Sequence, residues 1–149
     1  MKKIILLVAF FFVACTAVQA AEGLITKTSS HSVKETMDRL EKIVKDKGFY
    51  VAARVNHAAA AIKSEATLRP TELLIFGNPK LGTLLMQRTQ TIGIDLPLKV
   101  LIWEDDKGIV TLGYNDPAWL AKRHGIADQD KAFTKMAGAL GTFSDAAIK

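Results

Sequence analysis

The chain has 149 residues, with 20 Lys and Arg against 15 Asp and Glu, one cysteine and 49% hydrophobic residues. That size predicts one domain able to bury a core, and the hydrophobic fraction excludes a disordered chain. A single cysteine excludes a disulfide scaffold, a Cys-rich zinc site and a CxxC redox pair.

Residues 1–20 read as a leader. Lys2 and Lys3 precede an unbroken apolar run of 11 residues, Ile4 to Ala14, and Val18-Gln19-Ala20 supplies small residues before a cut at Ala20–Ala21. This is the layout of a secretory signal peptide, and the run is shorter than the ~20 residues of a membrane-spanning helix. Two alternatives stay open. Phe12-Val13-Ala14-Cys15 resembles a lipoprotein cleavage box that would lipidate Cys15, or the segment stays uncut as an anchor. Cleavage leaves residues 21–149 as one domain with 18 basic and 15 acidic residues, net charge +3, and no cysteine. The expected destination is periplasmic or secreted, with no stable membrane span after cleavage. Packing alone must then hold the domain.

Gly23 to Thr28 alternates like a first strand. Ser32-Val33-Lys34-Glu35 forms a capping box, in which the serine accepts the Glu35 amide and the glutamate reaches back. Val33, Met37, Leu40 and Val44 recur at helical spacing, so a helix runs from Val33 to Lys47 and Gly48 closes it. Phe49 to Val55 is a strand, and Asn56 caps a short alanine-rich helix, His57 to Ser64. Glu72 to Phe76 reads as a central strand. Asn78-Pro79 then starts a helix with Leu81, Leu84 and Leu85 on its apolar face. Leu98 to Trp103 and Ile109 to Tyr114 make a hairpin about the Asp105–Gly108 turn. Asp116-Pro117 starts a helix closed by Gly125. Asp128 opens the last one, with Ala132, Phe133, Met136 and Leu140 inside and Gly141 at its end. Five strands and four or five helices that do not strictly alternate, with a hairpin among them, predict an α+β fold.

Three segments together resemble one family: Leu68-Arg69-Pro70-Thr71-Glu72-Leu73-Leu74-Ile75-Phe76-Gly77-Asn78-Pro79, Asp95-Leu96-Pro97-Leu98 and Tyr114-Asn115-Asp116-Pro117. This is the domain of unknown function 302 family, and the similarity runs from about Gly23 to Gly125. The resemblance implies a TATA-binding-protein-like fold, a curved and mainly antiparallel five-stranded sheet backed by helices, and a homodimer. It implies no established activity. Where the family often has aspartate before His57, this chain has Asn56, which caps a helix without bringing a charge to the imidazole.

Few residues could carry chemistry. His57 lies in a first helical turn, where the dipole disfavours imidazolium and leaves a neutral ring suited to a metal or haem iron. Met86 is the candidate second ligand, since His/Met ligation of haem is established chemistry. The plain alternative makes His57 a half-buried polar residue and Met86 core filling. His31 precedes a helix cap and His124 sits in a last helical turn, both read as structural or solvent-facing. Arg69 could clamp a carboxylate, or simply pair with Glu72 or bond loop carbonyls. Asn78, at a helix N-terminus, could help hold an anion. Asp95 and Tyr114 would be acid–base candidates if they converge with Arg69. The acidic tip Glu104-Asp105-Asp106 lacks the alternate ligand spacing of a calcium loop.

Dispersed basic residues without interleaved aromatics exclude nucleic-acid binding. No GxSxG elbow or HExxH motif supports a hydrolase. The sequence therefore predicts an exported, non-enzymatic module that binds a small ligand, with haem or another planar apolar molecule the sharpest candidate. The alternatives are a small hydrolase or isomerase using Asp95, Tyr114 and Arg69, or an envelope protein-interaction domain.

Overall fold

Period-two burial builds the sheet. The computed structural model describes residues 21–127 and 130–149. The leader with its expected cut, Cys15 and the expected cap Asp128 lie outside them. Five strands, β1 (Leu24–Thr28), β2 (Tyr50–Asn56), β3 (Thr71–Gly77), β4 (Leu98–Glu104) and β5 (Val110–Asn115), pair antiparallel throughout in the order β1-β5-β4-β3-β2. On β3, Glu72, Leu74 and Phe76 are buried while Leu73 and Ile75 stay half exposed. Register carries the buried face onto Leu98, Val100 and Ile102 of β4, then onto Val110, Leu112 and Tyr114 of β5.

Two long helices belong to the core built on that face. Helix α1 (Val33–Asp46) contributes Val33, Met37, Leu40 and Val44, the stripe its spacing predicts. Helix α5 (Lys131–Ala147) contributes Phe133, Met136, Leu140 and Phe143. Phe49 meets Phe76 and Phe143 edge-on, with ring centroids 6.1 and 5.3 Å apart. Three shorter helices, α2 (His57–Lys63), α3 (Pro79–Arg88) and α4 (Pro117–Arg123), and a 3-10 turn over Gln90–Ile94 complete the described residues. The fold is α+β, an open five-stranded antiparallel sheet with helices.

Local chemistry fixes the helix starts. Asn56 Oδ1 accepts the Ala59 amide at 2.8 Å, Asn78 Oδ1 that of Leu81 at 3.2 Å, and Asp116 Oδ1 that of Ala118 at 2.9 Å. Ser32 accepts the Glu35 amide at 3.2 Å, but the glutamate does not close the capping box; its carboxylate lies 3.1 Å from His31 Nδ1. The last helix differs more from expectation. Asp130 caps it, accepting the Ala132 amide at 2.8 Å, and it passes through Gly141 to Ala147. Phe143 and Ala147 continue the buried stripe beyond Leu140, and that burial outweighs the roughly 1 kcal/mol helix penalty of a glycine. Leu84 does not join the inner face of α3; it is 53% exposed, and Leu85 is the residue of that helix that is buried.

One carboxylate lies on the covered face among apolar neighbours. Glu72 is 6% exposed, and Arg54 Nε donates to its Oε2 at 2.7 Å. Arg54 Nη1 also donates to Asp38 at 2.6 Å and to Glu41 at 3.1 Å, tying β2 to α1. Burial works against the guanidinium charge, yet the three accepting carboxylates outweigh it and raise its pKa. Hydrogen bonds from Lys34 and then Arg54 hold the Asp38 carboxyl below its usual range, and those from Lys45 and then Arg54 do the same for Glu41.

Candidate functional site

A cavity of about 390 Å³ opens at one end of the sheet, where the start of β2 and the end of β3 meet the Leu96-Pro97 segment before β4. The register explains the location: Tyr50 pairs with Gly77, and Phe76 with Leu98. Helix α3 walls one side with Leu81, Leu85 and Met86, and α5 another with Met136, Ala139 and Leu140. Phe49 and Phe76 add aromatic surface. Of the lining residues only Lys135 carries a charge, and none is Asp, Glu, His or Cys. Asn78 lines the cavity but commits its side-chain oxygen to the α3 cap. Such a space accepts an apolar body and offers little to general acid–base chemistry.

The structure separates most of the residues that the sequence singles out. Met86 lines the cavity, 37% exposed, with its sulfur close to Gly93. His57 follows Asn56, whose strand partner Glu72 lies at the opposite end of β3 from Gly77. Five residues of strand set those ends about 17 Å apart. His57 and Met86 therefore do not form an axial pair about one iron.

Arg69, Asp95 and Tyr114 do not converge either. Arg69 is exposed and donates Nε to the Glu104 carbonyl at 3.2 Å, while Glu72 pairs with Arg54 instead. Asp95 precedes the other end of β4, which is about 20 Å long. Tyr114 is 5% exposed among the core residues. What Asp95 meets is His124, with Oδ2 2.6 Å from Nε2, and Arg123, 3.5 Å away. Both side chains of the His124–Asp95 pair are nearly covered, at 6% and 11% exposure, so His124 does not face solvent. The pair ties the end of α4 to the turn before β4, next to the cavity-lining Leu96.

At the acidic hairpin tip, Asp105 Oδ1 accepts the amides of Ile109 at 2.8 Å and Lys107 at 2.9 Å. Those backbone hydrogen bonds, that of Ile109 first, keep its carboxyl below the usual range. Among the described residues no His/Cys/Asp/Glu cluster is disposed to hold a metal ion, and no helix is long and apolar enough to cross a membrane.

Sequence reasoning missed Phe49, Tyr50, Leu96, Lys135 and Ala139 as cavity residues. Each reads as ordinary core or surface in one dimension, and only the sheet register together with the packing of α3 and α5 brings their segments together. The Asp95–His124 pair, 29 residues apart, leaves no local spacing signal.

Known proteins with related sequences share the domain but say little about its role. A 121-residue stretch is 50% identical to the protein named "Fluoride-specific ion channel FluC 1" of Brucella suis biovar 1, covering 80% of this chain and 48% of that protein. The same identity and length relate it to "Fluoride-specific ion channel FluC 1" of Brucella abortus and "Fluoride-specific ion channel FluC 2" of Brucella melitensis, covering 45% of each. The chain thus spans about half the length of these relatives. A solved structure, "uncharacterized conserved protein DUF302 from Bacillus stearothermophilus", superposes with a TM-score of 0.67 at 22% identity, over 86% of this chain and 97% of that one. Residues 25–143 match the family described as "Domain of unknown function DUF302", and the chain belongs to that family.

Proposed function

We propose that the protein is an exported, non-enzymatic binding module, periplasmic or secreted, that holds a small apolar ligand in the cavity between α3 and α5. The supporting observation is the lining: about 390 Å³ bounded by leucines, phenylalanines and two methionines, with one charged side chain. Its volume falls within the range of ligand pockets, and Met86 and Met136 give it walls that adapt to shape. Haem remains a ligand to test, held by its apolar faces rather than by a His57–Met86 axial pair. Titration of the purified protein with dodecanol and with haemin tests the reading, followed by methionine methyl NMR and the Soret band. Shifts at Met86 and Met136 are expected, and Ala139→Phe, which fills the cavity, abolishes them in a folded variant. Absence of binding by both probes, or equal binding in Ala139→Phe, overturns it. Export and a homodimer belong to the same proposal, checked by the mass of the mature protein and by sedimentation.

A second reading rests on a separate observation. The matched stretch makes up 45–48% of three relatives named as fluoride channels. The domain then serves as an envelope interaction module beside an ion channel. Deleting it from the Brucella suis relative would change fluoride tolerance of the host cell; unchanged tolerance and channel amount refute this.

A further inference from the structure

We propose that the ligand of the α3/α5 cavity is an anionic single-chain amphiphile, its apolar tail inside and its headgroup at Lys135. The inference rests on the apolar-ligand reading and deepens it. Three observations carry it: the size of the cavity, the charge at its rim and the exposed apolar surface around its mouth.

The volume sets the tail. A methylene takes up about the space of a water molecule, ~30 Å³, so about 390 Å³ holds a chain of roughly a dozen carbons. The lining sets the sign of the head. Lys135 is its one charged residue, and Tyr50 and Thr83 bring the hydroxyls, so the rim offers donors and no carboxylate. Lys135 lies one helical turn before Ala139, another lining residue, while Met136 and Leu140 sit buried beside them. The lysine is exposed, so its stem runs over the apolar mouth with the ammonium at the surface. Among the described residues it has no carboxylate partner within ion-pair distance. Two nearby carboxylates are already engaged: Asp130 with Arg88 at 2.6 Å and with the cap of α5, Asp95 with His124 and Arg123. Nothing acidic in the lining competes for the ammonium. At the mouth, the lining residues Tyr50 and Met86 are 58% and 37% exposed, apolar surface along which a tail can enter.

The test compares dodecanoate and dodecyltrimethylammonium, below their micellar concentrations, with dodecanol, below its solubility limit, by calorimetry on the purified full chain. Dodecanoate is expected to bind roughly 3- to 10-fold more tightly than dodecanol, the effect of one exposed, charge-assisted contact. The trimethylammonium probe should be the weakest of the three. Lys135→Met keeps dodecanol binding and removes the preference; Lys135→Arg retains it. Added salt narrows the preference in the wild type and leaves Lys135→Met unchanged. Equal affinities for dodecanoate and dodecanol in the wild type, or a preference that survives Lys135→Met, overturn the headgroup assignment while the apolar cavity stands. Failure of every probe to bind overturns both readings together.

Discussion

Replacing Arg54 by leucine leaves Glu72 buried without its cation. The side chains differ in exposure: Glu72 retains 9%, Arg54 27%, Glu41 22% and Asp38 44%. The contacts to Asp38 and Glu41 are therefore screened by solvent and contribute at most about 1 kcal/mol each. The contact to Glu72 dominates. Removing one partner of a buried pair costs about 3–5 kcal/mol, and the partial exposure of Arg54 lowers that to about 2–4 kcal/mol. Asn56 Nδ2, 3.4 Å from Glu72 Oε1, is too distant a donor to compensate. Urea unfolding followed by circular dichroism gives the number. The double variant Arg54→Leu/Glu72→Leu should recover most of the loss, because the uncompensated charge is gone and Leu74, Ile102 and the α1 stripe already make the site apolar. A loss under about 0.5 kcal/mol in the single variant, or a double variant no more stable than the single one, refutes the placement of Glu72 as a buried, Arg54-dependent charge.

Two glycines with similar backbone angles should respond differently to alanine. Gly23 has φ +77° and a Cβ there would lie 2.4 Å from Trp119 Cγ, whereas Gly48 has φ +75° and open space around it. Gly48→Ala should cost about 1 kcal/mol and Gly23→Ala about 2–4 kcal/mol, read from thermal melts; equal losses refute the steric account. Asp130→Ala removes the α5 cap and the Arg88 partner and should cost about 1–2 kcal/mol, with the loss reduced in an Arg88→Ala background. Acid should destabilise the fold. Hydrogen bonds from Lys34 to Asp38, from Lys45 to Glu41 and from the Ala132 amide to Asp130 keep these folded-state carboxyls below their usual 3.8, 4.5 and 3.8. The unfolded chain therefore takes up protons first as pH falls. Their contribution is full above about pH 5 and is lost as pH drops through the folded values, so the urea midpoint should decline below pH 4.5. A midpoint flat down to pH 3 contradicts this.

Much of the fold was legible because short-range chemistry writes it. The caps Ser32, Asn56, Asn78 and Asp116 and the short apolar run of β3 are local signals, and each appears in the structure. The last helix departs where a local rule met a longer one: Gly141 reads as a stop, but Phe143 and Ala147 continue the buried face past it. Leu84 departs for the opposite reason. Its spacing suits the α3 face, but α3 turns Leu81, Leu85 and Met86 to the cavity and leaves Leu84 exposed.

The candidate site was hardly legible. His57 and Met86 each have plausible ligand chemistry, as Arg69, Asp95 and Tyr114 have plausible catalytic chemistry, yet residue type carries no information about distance. The sequence by itself determined the α+β class, the element order and the buried stripe of α1, since these follow from period and capping within a turn or two, and it pointed to the family through the resemblance of three segments. Which end of the sheet each side chain occupies was decided only by the antiparallel register. That register set the two ends of β3 apart, and the packing of helices on the sheet joined Asp95 to His124 and assembled a cavity from β2, β3, α3 and α5. Pairing between segments tens of residues apart depends on how whole strands bury one face together, and no single stretch of chain encodes it.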